Sequence, residues 1–340
     1  MVKVGVVGYG VIGQRLADGV ALQEDMELVG VADVAPTLAV RALKEKGMPY
    51  DFYLAVEENR EKVEKAGIPI SGNLEDLIKK VDIVLDATNA GVGAKNKVLY
   101  EKYGKKAIFQ GGEKTSVADV FFHGYANYEK GLGKQFLKLT SCNTTGLIRS
   151  VDCLDRAVGV ESAMIHIVRR VADPGDYHRG LTNALKVDPV PNHQAVDLML
   201  IMPHVKATGV LVHTPVTHGH FITVFAKPKK KVSKEEAIEI FREHPRIRLV
   251  KIEDGFLGNA SIFRYARDLG NPRGDMYEIS IWEETVTPFE DHLIYSLHIP
   301  QESVVIPETI DGIRAAMEMQ ADRLEAVGLT NKYLKIGRHK

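Results

Sequence analysis

The first thirteen residues restrict the possible folds of this chain more than any other stretch. The alternating β-branched run "VKVGVV" opens into Gly8-Tyr9-Gly10-Val11-Ile12-Gly13, after which Ile12, Leu16 and Val20 recur at helical spacing. Strand, tight turn and helix therefore follow one another without a linker. Gly8 permits the turn, Gly10 lets backbone approach a pyrophosphate, and Gly13 lets the helix pack closely on the strand. The unpaired amides at the helix start, at Val11 and Ile12, then face the anion. A second apolar strand, "MELVGVAD", ends in Asp33, twenty residues beyond Gly13. A carboxylate there accepts hydrogen bonds from the adenosine ribose; equally, it reads as a strand-end cap on the next turn. It also repels a 2′-phosphate unless Arg41 or Lys44 offsets it, which modestly favours NAD over NADP.

Further strands are expected in "VDIVLDATNAG" (81–91) and "KAIFQGGEK" (106–114), with the helical "KNKVLYEKYGKK" between them. Alternation of this kind specifies an α/β, Rossmann-type, doubly wound parallel sheet. Gly111 and Gly112 either bring backbone against the nicotinamide half of a cofactor or form a plain loop. The length of 340 residues accommodates two domains of ordinary size. Lysine plus arginine (44) nearly balances aspartate plus glutamate (45), so no long-range field gathers nucleic acid or an anionic membrane. The basic run "KPKKKVSKEE" (227–236) reads as a solvated loop leading into a helix. No apolar stretch is long enough to span a bilayer, and "MVKVGVVGYG" enters a strand directly, so the expected compartment is the cytoplasm.

The two cysteines, Cys142 and Cys153, are expected to be free thiols. On one helix they would lie ~16 Å apart, beyond disulfide reach. "FLKLTSC" reads as a strand closing on Ser141, and "NTTGLIRSVDCLDRAV" as a helix with Leu147, Val151, Leu154 and Val158 on one face. Cys153 reads as a small core residue. Cys142 falls at the helix N-terminus, where unpaired amides and the dipole favour thiolate, so the sulfur is expected to be ionised near neutrality. The alternative is an inert, buried cysteine. Ser141, Asn143, Thr144 and Thr145 supply polar donors suited to a carbonyl or phosphate oxygen, or else cap the helix.

With these segments in place, the chain resembles the archaeal-type glyceraldehyde-3-phosphate dehydrogenases. "GYGVIG", "IFQGGEK", "SCNTTGL", "VRRVADP", "QESVVIPETIDGIRA" and "TNKYLKIG" occur in the family's order and spacing across nearly the whole chain. The resemblance implies a dinucleotide-binding domain over 1–140, with a C-terminal helix (about 303–340) packed back on it. It also implies an α+β catalytic domain over 141–302 with a mostly antiparallel sheet. "AMIHIVRRV", "GVLVHTPV", "HFITVFAK", "YEISIWEE" and "HLIYSLHI" fit such a sheet, being strand-like and read as lacking intervening helices. Ile310, Ile313, Met317, Leu324 and Val327 make the final helix's apolar stripe.

The same resemblance implies the chemistry. Cys142 would attack the aldehyde of glyceraldehyde 3-phosphate, the thiohemiacetal would give hydride to NAD or NADP, and inorganic phosphate would release the thioester as 1,3-bisphosphoglycerate. His218 in "TPVTHGHFI" matches the family's base and would pair with Cys142, with His220 left open as the alternative because two residues along a regular strand share a face. Arg169 and Arg170 match a pair that binds the anionic groups, one of them also approaching the cofactor. His193 corresponds to the first of two phosphate-site histidines; Gln194 replaces the second and cannot carry its charge. Gln301 matches a glutamine near the nicotinamide. The family's usual homotetramer is implied, and no metal. Two rivals remain: another phosphate-coupled semialdehyde dehydrogenase, and an inactive dinucleotide-responsive regulatory module.

Overall fold

The computed structural model describes residues 1–170 and 184–337. The last four residues of "VRRVADP" and the final three of the chain lie outside that range. The chain divides into two compact units, Met1–Thr140 with Ile306–Leu334, and Ser141–Val305 with the segment from Lys335.

The first unit is built on seven strands: β1 (Val2–Val7), β2 (Met26–Asp33), β3 (Asp51–Leu54), β4 (Ile83–Asp86), β5 (Lys106–Phe109), β6 (Val120–Phe122) and β7 (Phe136–Leu139). They lie in the order β3-β2-β1-β4-β5-β7-β6, and every pairing is parallel. The order reverses between β1 and β4, which opens the crevice where such sheets bind ligands. Helix Val11–Ala21 packs tightly after β1, since a Cβ on Gly13 would lie 1.9 Å from the Gly8 carbonyl oxygen. Val7, Val84, Tyr100, Phe109 and Phe136 belong to one buried cluster of this unit.

The C-terminal segment differs from the expected single helix. It forms two, Ile306–Ala316 and Arg323–Leu334. Glu318 adopts a left-handed φ of 51°, which ends the first helix, and Leu324 is 58% exposed, so the apolar stripe does not run on through it. The buried Arg314 guanidinium joins the pieces, donating to Asp25 at 2.8 and 3.0 Å and to Thr330 at 2.6 Å.

The second unit has eight strands: β8 (Val160–Arg170), β9 (Lys186–Val187), β10 (Lys206–Thr214), β11 (His220–Pro228), β12 (Ile247–Val250), β13 (Ile279–Trp282), β14 (Thr287–Phe289) and β15 (His292–Ile299). Their order is β12-β13-β15-β11-β8-β10-β9, with β14 on β15. The β8–β11–β15 centre is antiparallel, but β10 pairs parallel with β8 and β12 with β13, so the sheet is mixed. Parallel neighbours need a crossover. Helix His193–Ile201 lies between β8 and β10, and helix Asn259–Asp268 between β12 and β13, which corrects the expectation that helices are absent here.

Helix Cys142–Val158 lies on this sheet with Leu147, Val151 and Leu154 buried. Gly146 makes the approach possible: a Cβ there would meet Ile299 Cδ1 at 2.1 Å and Ile279 Cγ2 at 2.9 Å. Gly146→Ala should therefore cost about 1–3 kcal/mol through overpacking, read as a lower denaturant midpoint at constant m-value. Ile299→Val, which removes the nearer methyl, should return part of that loss in the double variant. Equal midpoints for wild type and Gly146→Ala would refute the close approach.

Candidate active site

The helix that carries Cys142 starts where Ser141 caps it. Ser141 Oγ accepts from Thr144 N at 3.4 Å, and its carbonyl accepts from Thr145 N at 2.7 Å. Cys142 is thus the first helical residue, with the main-chain N–H of Asn143 donating to its sulfur. Beside it run β8 and β11, antiparallel, so the end of β8 at Arg170 meets the start of β11 at His220. His220 Nε2 lies 3.5 Å from Cys142 Sγ, and Arg170 N donates to His220 Nδ1 at 3.1 Å. Because Nδ1 is an acceptor in that bond, the neutral ring carries its proton on Nε2 and directs it at the sulfur.

The protonation states differ from the expectation of an ionised sulfur. Burial pushes the Cys142 thiol up to about 11 against Arg169, the Asn143 N–H and Arg170, which favour thiolate; Glu302 works with burial. Helix-end donors and two cations do not outweigh desolvation here. Burial likewise holds His220 well below the usual imidazole range, with Arg170 and Arg169 acting in the same direction. Burial thus favours thiol over thiolate and neutral imidazole over imidazolium in this pair. His298, the next buried imidazole, is pushed down to about 3 by burial.

His218, expected opposite Cys142, is exposed and points elsewhere. Its Nδ1 lies 3.0 Å from Thr217 Oγ1, and its ring stands edge-on to Phe263 with centroids 5.0 Å apart. Gly219 causes the divergence: its φ of +78° places a left-handed residue between the histidines, and β11 begins only at His220, so the two do not share a strand face.

The adjacent arginines separate sharply. Arg170 is buried, and its guanidinium donates to Gln301 Oε1, Glu302 Oε1 and, at 2.6 Å, the Thr217 carbonyl. The service to substrate and cofactor expected of Arg170 would require these bonds to be released, and they occupy the side-chain oxygen of Gln301 as well. The Arg169 guanidinium has no hydrogen-bond partner among the described residues, and its charge acts on Cys142, His220 and His193.

His193 begins helix His193–Ile201, whose cap Asn192 accepts from Ala195 N at 2.9 Å. Gln194 donates through Nε2 to His193 Nε2 at 2.7 Å, so the His193 proton sits on Nδ1. Burial, the leading cause, lowers this imidazole below its usual range, while Asp197 partly opposes it. In the polar run that starts at Ser141, Ser141 caps the helix and Thr144 is committed to a neighbouring side chain. Thr144 is fully buried and donates to Asp197 Oδ2 at 3.0 Å. Asn143 and Gln194 are also buried, and Asn143 Oδ1 and Gln194 Oε1 lack a partner among the described residues. Sequence reasoning missed Asp197 and Glu302. Glu302 stands next to Gln301 in "PQESVV", but its partner lies 132 positions earlier.

In the first unit, the β1 turn fits a dinucleotide phosphate. Among the described residues nothing lies within 4 Å of where a Gly10 Cβ would stand, and helix Val11–Ala21 has neither a side-chain cap nor an acidic residue in its first turn. Asp33 accepts from Tyr9 N at 2.9 Å and Val34 N at 2.6 Å, so it braces the glycine turn and caps its own strand. Burial raises its carboxyl above the ordinary value despite those two donors. Gly111 and Gly112 are exposed, and the Gly111 carbonyl accepts from Lys138 Nζ at 3.0 Å. Among the described residues, no group of three or more His, Cys, Asp or Glu side chains is placed to hold a metal, and no helix is long and apolar enough to cross a membrane.

Residues 141–271 match the glyceraldehyde 3-phosphate dehydrogenase C-terminal domain, and residues 2–112 the dihydrodipicolinate reductase N-terminus. The glyceraldehyde-3-phosphate dehydrogenase of Thermococcus kodakarensis is 43% identical over 98% of this chain and 99% of its own length, as is that of Pyrococcus abyssi. The corresponding protein of Methanococcoides burtonii is 41% identical over the same shares. Aspartate semialdehyde dehydrogenase II from Vibrio cholerae shares the fold, with a TM-score of 0.63 over 94% of this chain and 98% of that one at 13% identity.

The electrostatics predict a titration. In a Cys153→Ser background, alkylation of Cys142 by iodoacetamide should keep accelerating past pH 9 towards a midpoint near 11. Arg169→Gln should move the midpoint higher still, since it removes a charge that favours thiolate. A plateau reached near pH 7 would show that burial does not dominate.

Proposed function

This chain belongs to the glyceraldehyde-3-phosphate dehydrogenase family, and from that premise we propose that it oxidises D-glyceraldehyde 3-phosphate to 1,3-bisphosphoglycerate with inorganic phosphate and a nicotinamide cofactor. The observation that carries the reading is the sulfur of Cys142 facing His220 Nε2 at 3.5 Å, under the charge of Arg169.

Each residue's part follows from its surroundings. When Cys142 adds to the aldehyde carbon, the thiol proton ends on the former carbonyl oxygen, so the step changes no net charge. That suits a site holding both partners neutral. During the attack, charge builds on oxygen; the Nε2–H of His220, the Asn143 N–H and the Arg169 charge stand beside the sulfur, where they can stabilise that charge. In the oxidation, the hydroxyl proton must leave as hydride leaves carbon. His220 faces that proton through Nε2, and it can accept there only once its own proton has moved to Nδ1, which requires Nδ1 to release the Arg170 amide. Arg169 and the Nδ1–H of His193 suit the phosphate groups. Gln194 supports His193 rather than replacing a cationic ligand.

The cofactor supplies a hydride acceptor when bound. Gly8, Gly10 and Gly13, with the amides of Val11 and Ile12, would hold its pyrophosphate, Asp33 its ribose, and Gly111 and Gly112 its nicotinamide half. Asp33 favours NAD over NADP because a 2′-phosphate would meet a carboxylate. We further assign the chain to the cytoplasm, to glycolysis or gluconeogenesis, and to a homotetramer. An association surface needs exposed apolar side chains, and neighbouring β8 and β10 offer Met164 and Val210. The fold shared with an aspartate semialdehyde dehydrogenase carries no argument about substrate.

Steady-state oxidation of glyceraldehyde 3-phosphate should require inorganic phosphate and be abolished in Cys142→Ala. His220→Asn should lower kcat by roughly 10²–10⁴-fold, and His218→Asn far less. Arg169→Gln should raise KM roughly 10- to 100-fold, the loss of one charged hydrogen bond. Activity without phosphate, or a larger loss from His218→Asn, would overturn these assignments. Asp33→Asn should raise the kcat/KM for NADP relative to NAD, and an unchanged ratio would remove Asp33 from cofactor choice.

A further inference from the structure

Three neighbouring strands of the second unit end at one place. There β8 finishes at Arg170, β11 starts at His220, and β15 finishes at Ile299, one residue before the turn 300–304. That turn is fixed by the Pro300 carbonyl, which accepts from Ser303 N at 3.2 Å and Val304 N at 3.0 Å, so Gln301 and Glu302 have little freedom. Arg170 bridges all three strand ends. Its main-chain N–H reaches His220, one guanidinium nitrogen reaches the Thr217 carbonyl just before β11, and the others reach Gln301 and Glu302 after β15. The arginine side chain is 2% exposed and that of Glu302 14%.

An arginine so placed is costly unless its charge is matched. Glu302 matches it through a charge-assisted bond from one guanidinium nitrogen to its Oε1, while the other two nitrogens are held by Gln301 and the Thr217 carbonyl. The product of this arrangement is not at the guanidinium but at the main-chain nitrogen of the same residue. That N–H occupies Nδ1 of His220, and the tautomer follows: Nε2 must carry the proton and can only donate to the sulfur 3.5 Å away.

We propose that Glu302 and Arg170 form a positioning pair for the Cys142–His220 couple, the ion pair pinning the strand ends so that the Arg170 N–H fixes His220 as an Nε2–H donor. Glu302 is then a positioning residue of this enzyme, acting through Arg170 and touching no reacting atom. The inference rests on Cys142 being the nucleophile, but its central test needs no substrate. The groups acting on the couple are Arg169 and Arg170 from β8, His213 from β10, His298 from β15, Glu302, and the Asn143 N–H.

The test labels histidine ring nitrogens with ¹⁵N and assigns His220 by difference from His220→Asn. In the wild-type protein, Nε2 should show the protonated, pyrrole-like shift and Nδ1 the pyridine-like one. Glu302→Ala should convert this to a mixture of tautomers and lower kcat roughly 10- to 100-fold while leaving the aldehyde KM in place. Glu302→Gln keeps an acceptor for Arg170 without the charge. It should preserve the tautomer and move the midpoint of Cys142 alkylation to lower pH, because a repelling carboxylate is gone. A wild-type tautomer pattern and kcat in Glu302→Ala would overturn the proposal. So would a rise in KM at constant kcat, which would make the guanidinium a substrate ligand. Should the protein prove inactive towards glyceraldehyde 3-phosphate, the ring-nitrogen and alkylation results would still decide the positioning claim separately.

Discussion

Removing charge from water costs more at this site than the neighbouring charges return. Two arginines end β8, yet the thiol is pushed up to about 11 and His220 well below its usual range. The arginines act oppositely on the two partners: a positive field favours thiolate and disfavours imidazolium. No field of one sign can create a thiolate–imidazolium pair, and in a poorly solvated place neither ion forms alone. What the positive field does favour is negative charge arising during reaction, on sulfur or on the oxygen of an attacked carbonyl. Neutral partners at rest and donors aimed at a developing anion are two results of the same desolvation.

The sheet explains how these groups meet. Antiparallel pairing of β8 with β11 and of β11 with β15 brings three chain segments, distant in sequence, to a common end. The parallel pairing of β10 with β8 sets His213 opposite Arg169, and helix His193–Ile201, lying before β10, delivers His193 and Gln194. Gly146 lets the Cys142 helix sit low over Ile299, so its first turn reaches the strand ends. Packing, not local preference, therefore decides which side chains become neighbours.

That division also separates what the sequence discloses from what it hides. The glycine turn, the carboxylate at Asp33 and the cysteine at the start of a helix are local patterns with local causes, and each is readable from a few residues. The state of the sulfur is not, since it depends on burial and on charges as far along the chain as Glu302. The choice between His218 and His220 turned on one backbone angle at Gly219, which a strand-like pattern does not encode. Helix His193–Ile201 escaped notice because "HQAVDLMLI" has no polar face to set a period: Val196 and Leu200 are exposed while Leu198 and Ile201 are buried.

Arg169 and Arg170 show how far identical residues can diverge. Successive side chains on a strand take opposite faces, so one of the two turns inward whatever its chemistry. Once Arg170 is buried with Gln301, Glu302 and the Thr217 carbonyl, releasing it to a ligand would leave a carboxylate and a carbonyl without that donor, a penalty comparable to what an anion could return. Arg169, with no such commitments among the described residues, pays nothing of the kind. The inner arginine is thus committed to architecture, and the outer one keeps the freedom that the proposed anion binding needs. A ligand's charge then arrives beside a sulfur whose ionisation Arg169 favours more than any other neighbouring charge does. Occupation of Arg169 by phosphate must weaken that support, so substrate binding and thiolate formation oppose each other unless the attack proceeds from the neutral thiol.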